Sequence, residues 1–116
     1  MMDKTVNMLF EPLIRRKIFA SERDAVRELL GNYILQQIST LQSEINRFRQ
    51  KYGMNFERFS EYLHERSALL QKDSLSPDKR KVLGRAIMVE EDDWLDWKVA
   101  REMLESWLGL REEVSA

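Results

Sequence analysis

The sequence predicts a mainly α-helical protein, built on a long central helix in an antiparallel helical arrangement. Glycine and proline together supply only six of the 116 residues, so few positions break a helix. Charged residues make up 34% of the chain, against about 25% in an average soluble protein, as is typical of long solvated helices. Across the middle of the chain, apolar residues recur at spacings of three and four, which is the period of one face of a helix.

The N-terminal segment begins with a short alternation of polar and apolar side chains over residues 5–8. Such alternation is typical of a half-buried strand, and it predicts a short β-ribbon that forms on dimerisation. Pro12 then suits the first turn of a short helix, because the N–H that proline lacks would be unpaired there in any case. Three consecutive cations at residues 15–17 lie on that helix and span nearly a full turn.

The central helix is predicted to run from residue 22 to residue 52. Its start is marked by Ser21, whose hydroxyl can accept a hydrogen bond from the backbone N–H three residues later. Its end is marked by Gly53, which can take the left-handed conformation that terminates a helix. The apolar residues of this helix form one long stripe, which we call the seam. One chain of 116 residues has little apolar surface with which to cover the seam, so we expect a second copy to cover the rest. The residues predicted to form this dimer interface are Leu30, Ile34, Ile38, Leu41, Ile45 and Phe48.

Two more helices are predicted in the second half of the chain. Asn55 can cap the first of them. Residues 72–80 are linker-like, although Ser76-Pro77 could also cap a short helix. The last helix is expected to begin at residues 90–93, where four consecutive acids complement the positive end of a helix dipole, and to end near Gly109.

Charge divides the chain unevenly, although the net charge is only −1. Residues 1–85 hold 16 Lys and Arg against 11 Asp and Glu, whereas residues 86–116 hold 3 against 9. Such asymmetry indicates a basic surface for nucleic acid and an acidic surface for a basic partner, with ordinary surface variation as the alternative. We therefore expect residues 1–53 to form a dimerisation and candidate DNA-binding segment, and residues 54–116 to form a partner-binding segment.

The sequence offers no arrangement of residues that catalysis requires. The single histidine, His64, is not accompanied by a cysteine or an activated serine in a recognisable catalytic arrangement. The four glycines are too dispersed to form a loop that binds a phosphate. We therefore expect no catalytic residue, no cofactor and no metal site, and a protein that is not an enzyme. The lack of cysteine suits a reducing cytoplasm, and no apolar run approaches the ~18 residues of a membrane span. Residues Met1–Asp3 do not resemble the start of a signal peptide, so we expect a cytoplasmic protein that does not bind membranes.

All three tryptophans lie in the acidic last quarter of the chain. Tryptophan is enriched among the residues that dominate binding energy at protein interfaces, and acids beside it would favour a basic partner. Packing of Trp97 and Trp107 in the core is the alternative. The residues predicted to bind a partner are Glu90, Glu91, Asp92, Asp93, Trp94, Asp96 and Trp97.

Three segments of the chain resemble known families. The segment FASERDAVRELL at residues 19–30 looks like the entry to the second helix of ribbon-helix-helix proteins. The segments FRQKYGMNFERF at residues 48–59 and EEDDWLDW at residues 90–97 resemble small prokaryotic type II antitoxin-like proteins, which are encoded beside a toxin.

The resemblance implies a basic N-terminal dimer that contacts operator DNA and an acidic C-terminal segment that covers a basic ribonuclease toxin. In the ribbon, polar side chains would face base edges while cations position the phosphates. The residues implied to bind DNA are Lys4, Thr5, Asn7, Arg15, Arg16 and Lys17. The expected function is an antitoxin that neutralises the neighbouring toxin and regulates its own transcription. The alternatives are a dimeric helical adaptor without nucleic-acid binding, and a small enzyme subunit whose site is completed by a partner.

Overall fold

The computed structural model of the protein describes residues 4–115, except for the side chains of Lys4 and Val6. Over this range the chain is helical with short connections and no strand, which confirms the predicted mainly α class. The helices are α1 (Lys4–Arg15), α2 (Glu22–Tyr52), α3 (Phe56–Leu69) and α4 (Pro77–Ser115). None of the helices in the described part of the chain has the length and apolar character needed to cross a bilayer.

The N-terminal segment is helical, so the predicted ribbon and the predicted helix start at Pro12 are both wrong. Pro12 lies inside α1. Phe10, Leu13 and Ile14 are half-buried and recur at spacings of three and four, so one face of this segment packs as a helix. This pattern outweighs the alternation over residues 5–8, because four residues are too few to distinguish a strand from one turn of a helix.

The connection after α1 begins with a Schellman motif that has lysine where glycine is usual. The Ile18 N–H donates to the Leu13 carbonyl at 2.9 Å, and the Lys17 N–H donates to the Ile14 carbonyl at 3.0 Å. Lys17 has a φ of 60°, in the left-handed region. A residue with a Cβ is strained there by roughly 1–2 kcal/mol, a strain that glycine avoids.

Replacing Lys17 with glycine is expected to raise the free energy of unfolding by about 0.5–1 kcal/mol, because relief of the left-handed strain exceeds the extra entropy of glycine in the unfolded chain. Urea unfolding followed by circular dichroism measures the change. Lys17→Ala is the control, since alanine keeps the Cβ and therefore the strain. Equal stability of the two variants would contradict a left-handed conformation at this position.

The predicted boundaries of α2 and the predicted start of α3 are confirmed. The Ser21 hydroxyl accepts a hydrogen bond from the Asp24 N–H at 3.1 Å and so caps α2. Gly53 has a φ of 65° and follows the last residue of this helix. Asn55 Oδ1 accepts a hydrogen bond from the Arg58 N–H at 2.8 Å and caps α3. These signals are local, because each cap joins residues only three positions apart.

The last helix is longer than predicted. α4 runs without interruption over 39 residues, so residues 77–80 belong to it rather than to a linker. Its cap is Ser76, whose hydroxyl accepts a hydrogen bond from the Lys79 N–H at 3.3 Å. The acids at residues 90–93 therefore lie in the middle of the helix, and Gly109 does not end it. A glycine inside a helix costs only about 1 kcal/mol, which is too little to stop a helix that packs along its length.

The chain divides into two compact units. Unit 1 comprises Met1–Ser39 and Trp107–Ala116, and unit 2 comprises Thr40–Ser106. Both α2 and α4 contribute residues to each unit. The units therefore do not coincide with the division expected at residue 53, and the functional roles assigned to those two segments stay predictions.

Unit 2 is built around an aromatic core. Trp97 of α4 is fully buried, and its ring centroid lies 5.6 Å from that of Phe48 in α2 and 5.5 Å from that of Phe59 in α3. Within this unit α2 and α4 run antiparallel, since Phe48 stacks on Trp97 while Tyr52, further along α2, bonds to Asp93, further back on α4. The other apolar side chains buried in this unit are Leu41, Ile45, Leu63, Ile87 and Ala100.

The seam predicted to pair with a second copy is buried within the single chain. Five of its six side chains, from Ile34 to Phe48, are at most 9% exposed. One chain therefore has enough apolar surface to cover this part of the seam, contrary to the prediction. Leu30, at 41% exposed, is the one member of the predicted interface that lies on the surface. Dimerisation itself stays a prediction.

Candidate protein-binding site

Two of the acids predicted to bind a partner are instead paired inside unit 2. Glu90 Oε1 lies 2.8 Å from Arg66 Nε of α3, and both side chains are largely buried. Asp93 Oδ2 accepts hydrogen bonds from Lys51 Nζ at 2.6 Å and from the Tyr52 hydroxyl. These acids join α4 to α2 and α3, which corrects their predicted role as free charges for a partner.

The contacts of Asp93 shift two pKa values. Burial, together with the hydrogen bond to the Asp93 carboxylate, raises the pKa of the Tyr52 hydroxyl well above its usual value. Burial alone would raise the pKa of Asp93, but hydrogen bonds from Lys51 and Tyr52 outweigh burial and lower that pKa. The folded protein therefore holds this carboxylate ionised as a structural charge.

Replacing Asp93 with asparagine is expected to lower the free energy of unfolding by about 1–3 kcal/mol near neutral pH, because the charged acceptor of two hydrogen bonds is lost. A carboxyl whose pKa is lower in the folded state stabilises the protein above its unfolded pKa of about 3.9. That contribution is lost as the pH falls through the folded pKa. The stability difference between wild type and Asp93→Asn, measured by urea unfolding, should therefore be constant near neutral pH and shrink as the pH falls below about 5. A difference independent of pH would show that the charge of Asp93 does not stabilise the fold.

The two tryptophans predicted as partner anchors are both packed within unit 2. Trp97 is fully buried, so it belongs to the core and cannot contact a partner. Trp94 is half-buried, stacks on Phe56 with 5.7 Å between ring centroids, and donates from Nε1 to the Ser60 hydroxyl at 2.8 Å. The remaining surface of Trp94 lines a groove between α3 and α4.

The groove has a volume of about 500 Å³ and lies entirely within unit 2. Leu63, Trp94 and Leu95 give it apolar walls, while Glu91 and Asp92 of α4 are acidic. The other residues that line it are Ser60, His64 and Ser67 of α3. Such a groove suits a side chain with an aliphatic stem and a cationic head, because the walls contact the methylenes and the acids attract the charge.

The exposed surface of α4 next to this groove is both apolar and acidic. Four apolar side chains, between 44% and 66% exposed, lie within an arc of about 80° when each residue turns the helix by roughly 100°. Four exposed acids lie within or beside the same arc. We define the outer face of α4 by these eight residues: Met88, Glu91, Asp92, Leu95, Asp96, Val99, Glu102 and Met103.

The cations of this stretch of α4 do not cancel the acids of the outer face. Arg101 is paired with Glu57 of α3 at 2.9 Å. Lys98 Nζ lies 5.5 Å from the ring centroid of Trp94, and its single charge is outnumbered by the four acids of the face. The outer face therefore keeps a negative field around exposed apolar side chains, which can bind a basic surface. Among residues 4–115, no three His, Asp or Glu side chains come together as a group of metal ligands.

The polar residues predicted to contact DNA bases lie on a helix rather than on a ribbon. Thr5 is exposed on α1. The side-chain nitrogen of Asn7, in the orientation that hydrogen bonding requires, lies 2.7 Å from Glu22 Oε1 of α2. Asn7, although exposed, therefore pairs with Glu22 and joins α1 to α2, and the side chain of Lys4 lies outside the described residues.

The cations predicted to contact phosphates lie at the end of α1. Arg15 is 3.6 Å from Glu11 in an exposed ion pair. Arg16 and Lys17 are exposed, and Lys17 also forms the left-handed end of the helix. Exposed cations can bind phosphate, so contact with DNA through these residues stays a prediction.

Sequence reasoning missed the apolar half of the outer face. Leu95, Val99 and Met103 are spaced by four, and Met88 lies seven residues before Leu95. This spacing is itself a signal of a helical stripe. It lies beside the larger tryptophans, whose size and rarity favoured them as anchors, although Trp97 is buried in the core and Trp94 is half-buried.

No family model matches the sequence, and no curated protein or solved structure matches it either. The outer face of α4 is therefore the feature from which a function can be argued. It combines exposed apolar side chains and unpaired acids on one helix with a neighbouring groove.

Proposed function

We propose that this protein acts as an antitoxin, which neutralises a basic, ribonuclease-like toxin by covering it with the outer face of α4. The observation that carries the proposal is the coincidence of four exposed apolar side chains with four exposed acids on this face. The inner side of the same helix is already packed in the core of unit 2 through Ile87, Trp97 and Ala100. An apolar and acidic face that the fold does not use is suited to a basic protein.

The charge of the outer face favours a protein partner over a nucleic acid. Its carboxylates would repel phosphates, whereas a ribonuclease carries cations that bind the phosphates of RNA. An acidic face that covers those cations would compete with RNA for them. The groove beside Leu95 would hold the aliphatic part of a lysine or arginine from the toxin, with Glu91 and Asp92 next to its charge.

The resemblance of residues 48–59 and 90–97 to antitoxin-like proteins supports the same function. Phe48, Phe59 and Trp97 come from these segments, and the rings of Phe48 and Phe59 each stack on that of Trp97 in unit 2. The shared residues thus build the core that holds the outer face in position. This gives the resemblance a physical meaning, because a fixed face binds with less loss of entropy than a flexible one.

A helical adaptor is the second candidate function. It is favoured by the exposed apolar side chains of unit 1, which give the chain a second surface for a protein. An adaptor would join two proteins without inhibiting either of them. Regulation of transcription would need contact with DNA as well, which a mobility shift of the upstream DNA that weakens with salt would test.

Co-expression with the product of the adjacent reading frame tests the proposal. If that product is basic and arrests growth when expressed alone, this chain should restore growth, and Leu95→Asp should abolish the rescue. Val82→Asp is the matched control, because Val82 is exposed on the same helix but does not belong to the outer face. A neighbour that is harmless when expressed alone would contradict the antitoxin function and favour the adaptor.

A further inference from the structure

A cluster of exposed cations lies at the connection between α3 and α4 in unit 2. Residues 72–85 hold five cations and two acids, and all seven are exposed. The Arg80 guanidinium donates to the Lys72 carbonyl at 3.0 Å, which brings the connection against the start of α4. We define the basic tip by the five cations of this stretch: Lys72, Lys79, Arg80, Lys81 and Arg85.

The fold leaves the charges of the basic tip unpaired. Among the residues that the structure describes, none of these five cations forms an ion pair. Most other cations of unit 2 are paired with a carboxylate, namely Arg47, Lys51, Arg58, Arg66 and Arg101. Asp73 and Asp78 lie in the same stretch but leave it a charge of +3, since five cations stand against two acids. This charge is therefore available to an anionic partner.

The positions of these cations weaken α4 instead of stabilising it. Lys79 and Arg80 lie in the first turn of the helix, where the positive end of the helix dipole disfavours cations. Lys81 and Arg85 are four positions apart on one helix face, where like charges repel each other. Gly84 adds a residue of low helix propensity, and no atom packs in the space that a side chain would fill there. A stretch that breaks several local rules without a gain in packing is typical of a functional site.

We propose that the basic tip binds the phosphate backbone of a nucleic acid. Lysine and arginine neutralise phosphates, whereas lysine is depleted from interfaces between proteins, and three of the five cations are lysines. The four cations of α4 span about 9 Å at 1.5 Å per residue, over which one strand of duplex DNA carries roughly three phosphates. Gly84, beside Arg80 and Lys81 on the helix surface, has no side chain to keep a phosphate away from the helix.

An acidic protein is a less suitable partner for these cations. The start of α4 also borders an apolar groove of about 500 Å³, with Leu75, Val82 and Leu83 in its walls. A protein that buried an apolar side chain there would place its acids around the groove, but only Lys79 of the five cations lines it. The stretch contains no aromatic residue on which bases could stack, so we expect contacts to phosphates without preference for sequence.

This site does not rest on the function proposed for the outer face of α4. The acids of that face would repel phosphates, so they would not add to the contact with a nucleic acid. The site also differs from the DNA contacts predicted at residues 4–17, which belong to unit 1. Failure of the antitoxin function would leave binding at the basic tip intact, and the reverse also holds.

Fluorescence anisotropy tests the basic tip with the full chain and two labelled probes of arbitrary sequence, a DNA duplex and a single-stranded RNA. Wild type should bind at low salt and lose affinity as salt rises, because contacts to phosphates release counterions. The triple variant Arg80→Gln, Lys81→Gln, Arg85→Gln should bind at least ~10-fold more weakly at low salt. Its plot of log binding constant against log salt should be shallower by roughly 2–3, since each lost phosphate contact removes about 0.7–0.9. Binding to one probe or to both supports the proposal and identifies the nucleic acid.

The matched control, Arg23→Gln, Arg27→Gln, Arg111→Gln, removes three exposed cations from unit 1 and so changes the net charge equally. It should bind as wild type does, and circular dichroism should show both variants folded. Equal loss in the two triple variants would mean that affinity reflects net charge, and would overturn the proposal. A wild type that binds neither probe at low salt would also overturn it. Binding of poly-glutamate as tight as that of the nucleic acids would overturn it too, and would indicate an acidic protein as the partner.

A second measurement covers the case in which the triple variant fails to fold. The amide signals of wild-type chain labelled with nitrogen-15 are recorded as the DNA duplex or the RNA is added. Shifts concentrated at residues 79–85 are expected. Shifts confined to unit 1 or to the outer face of α4 would overturn the proposal without any substitution.

Discussion

Replacing Trp97 with alanine is expected to lower the free energy of unfolding by about 3–5 kcal/mol, which is a large share of the total stability of a typical small domain. Trp97 is fully buried and stacks on Phe48 and Phe59 from two other helices, so alanine leaves a cavity where three helices meet. Urea unfolding, followed by circular dichroism and by tryptophan fluorescence, measures the loss.

Trp97→Phe is the control for this substitution. Phenylalanine keeps an aromatic ring in the stack and removes an indole N–H that has no hydrogen-bond partner among the described residues. Its cost should therefore stay below about 1.5 kcal/mol. If Trp97→Ala cost less than about 1 kcal/mol, the side chain would not be a core residue, and its role as a partner anchor would return.

Replacing Leu95 and Val99 together with aspartate is expected to weaken binding of the basic partner by at least ~100-fold while the chain stays folded. Both side chains are about half exposed, so two charges there disturb the outer face of α4 rather than the core. In the complex the two new carboxylates would be removed from water, and the apolar contacts made by Leu95 and Val99 would be lost. Pull-down of the partner with the purified full chain measures the loss, and circular dichroism checks the fold.

Val82→Asp is the matched control for the outer face of α4. Val82 is 70% exposed on the same helix, and the helical rotation places it about 140° from Leu95. This variant should bind the partner as wild type does. Equal loss of binding in the control and in the double variant would mean that the outer face has no special part in recognition.

The parts of the fold that could be predicted from the sequence are those set by neighbouring residues. Ser21 and Asn55 cap their helices through hydrogen bonds that span three positions, and Gly53 ends α2 through its own backbone conformation. The start of α4 was harder to predict, because the four acids at residues 90–93 look like a helix start. In fact Glu90 and its neighbours lie in mid-helix, where distant cations bind two of them.

Residues of the candidate site were predicted only in part, because burial depends on packing between helices. Glu91, Asp92 and Asp96 are exposed as the prediction requires, whereas Trp97 lies in the core. Tryptophan occurs both in cores and in interfaces, so the residue type alone does not distinguish the two roles. The seam of the central helix shows the same limit, since its spacing predicts burial but not which chain provides the cover.

The most direct test of the outer face of α4 is the association of the purified full chain with the purified product of the adjacent reading frame, at low and high salt. We expect binding whose association rate falls steeply with salt, since acids on a surface speed the encounter with a basic protein. The triple variant Glu91→Gln, Asp92→Asn, Asp96→Asn should associate slowly at low salt and resemble wild type at high salt. No binding, or binding with the same salt dependence in wild type and variant, would contradict the proposed role of this face.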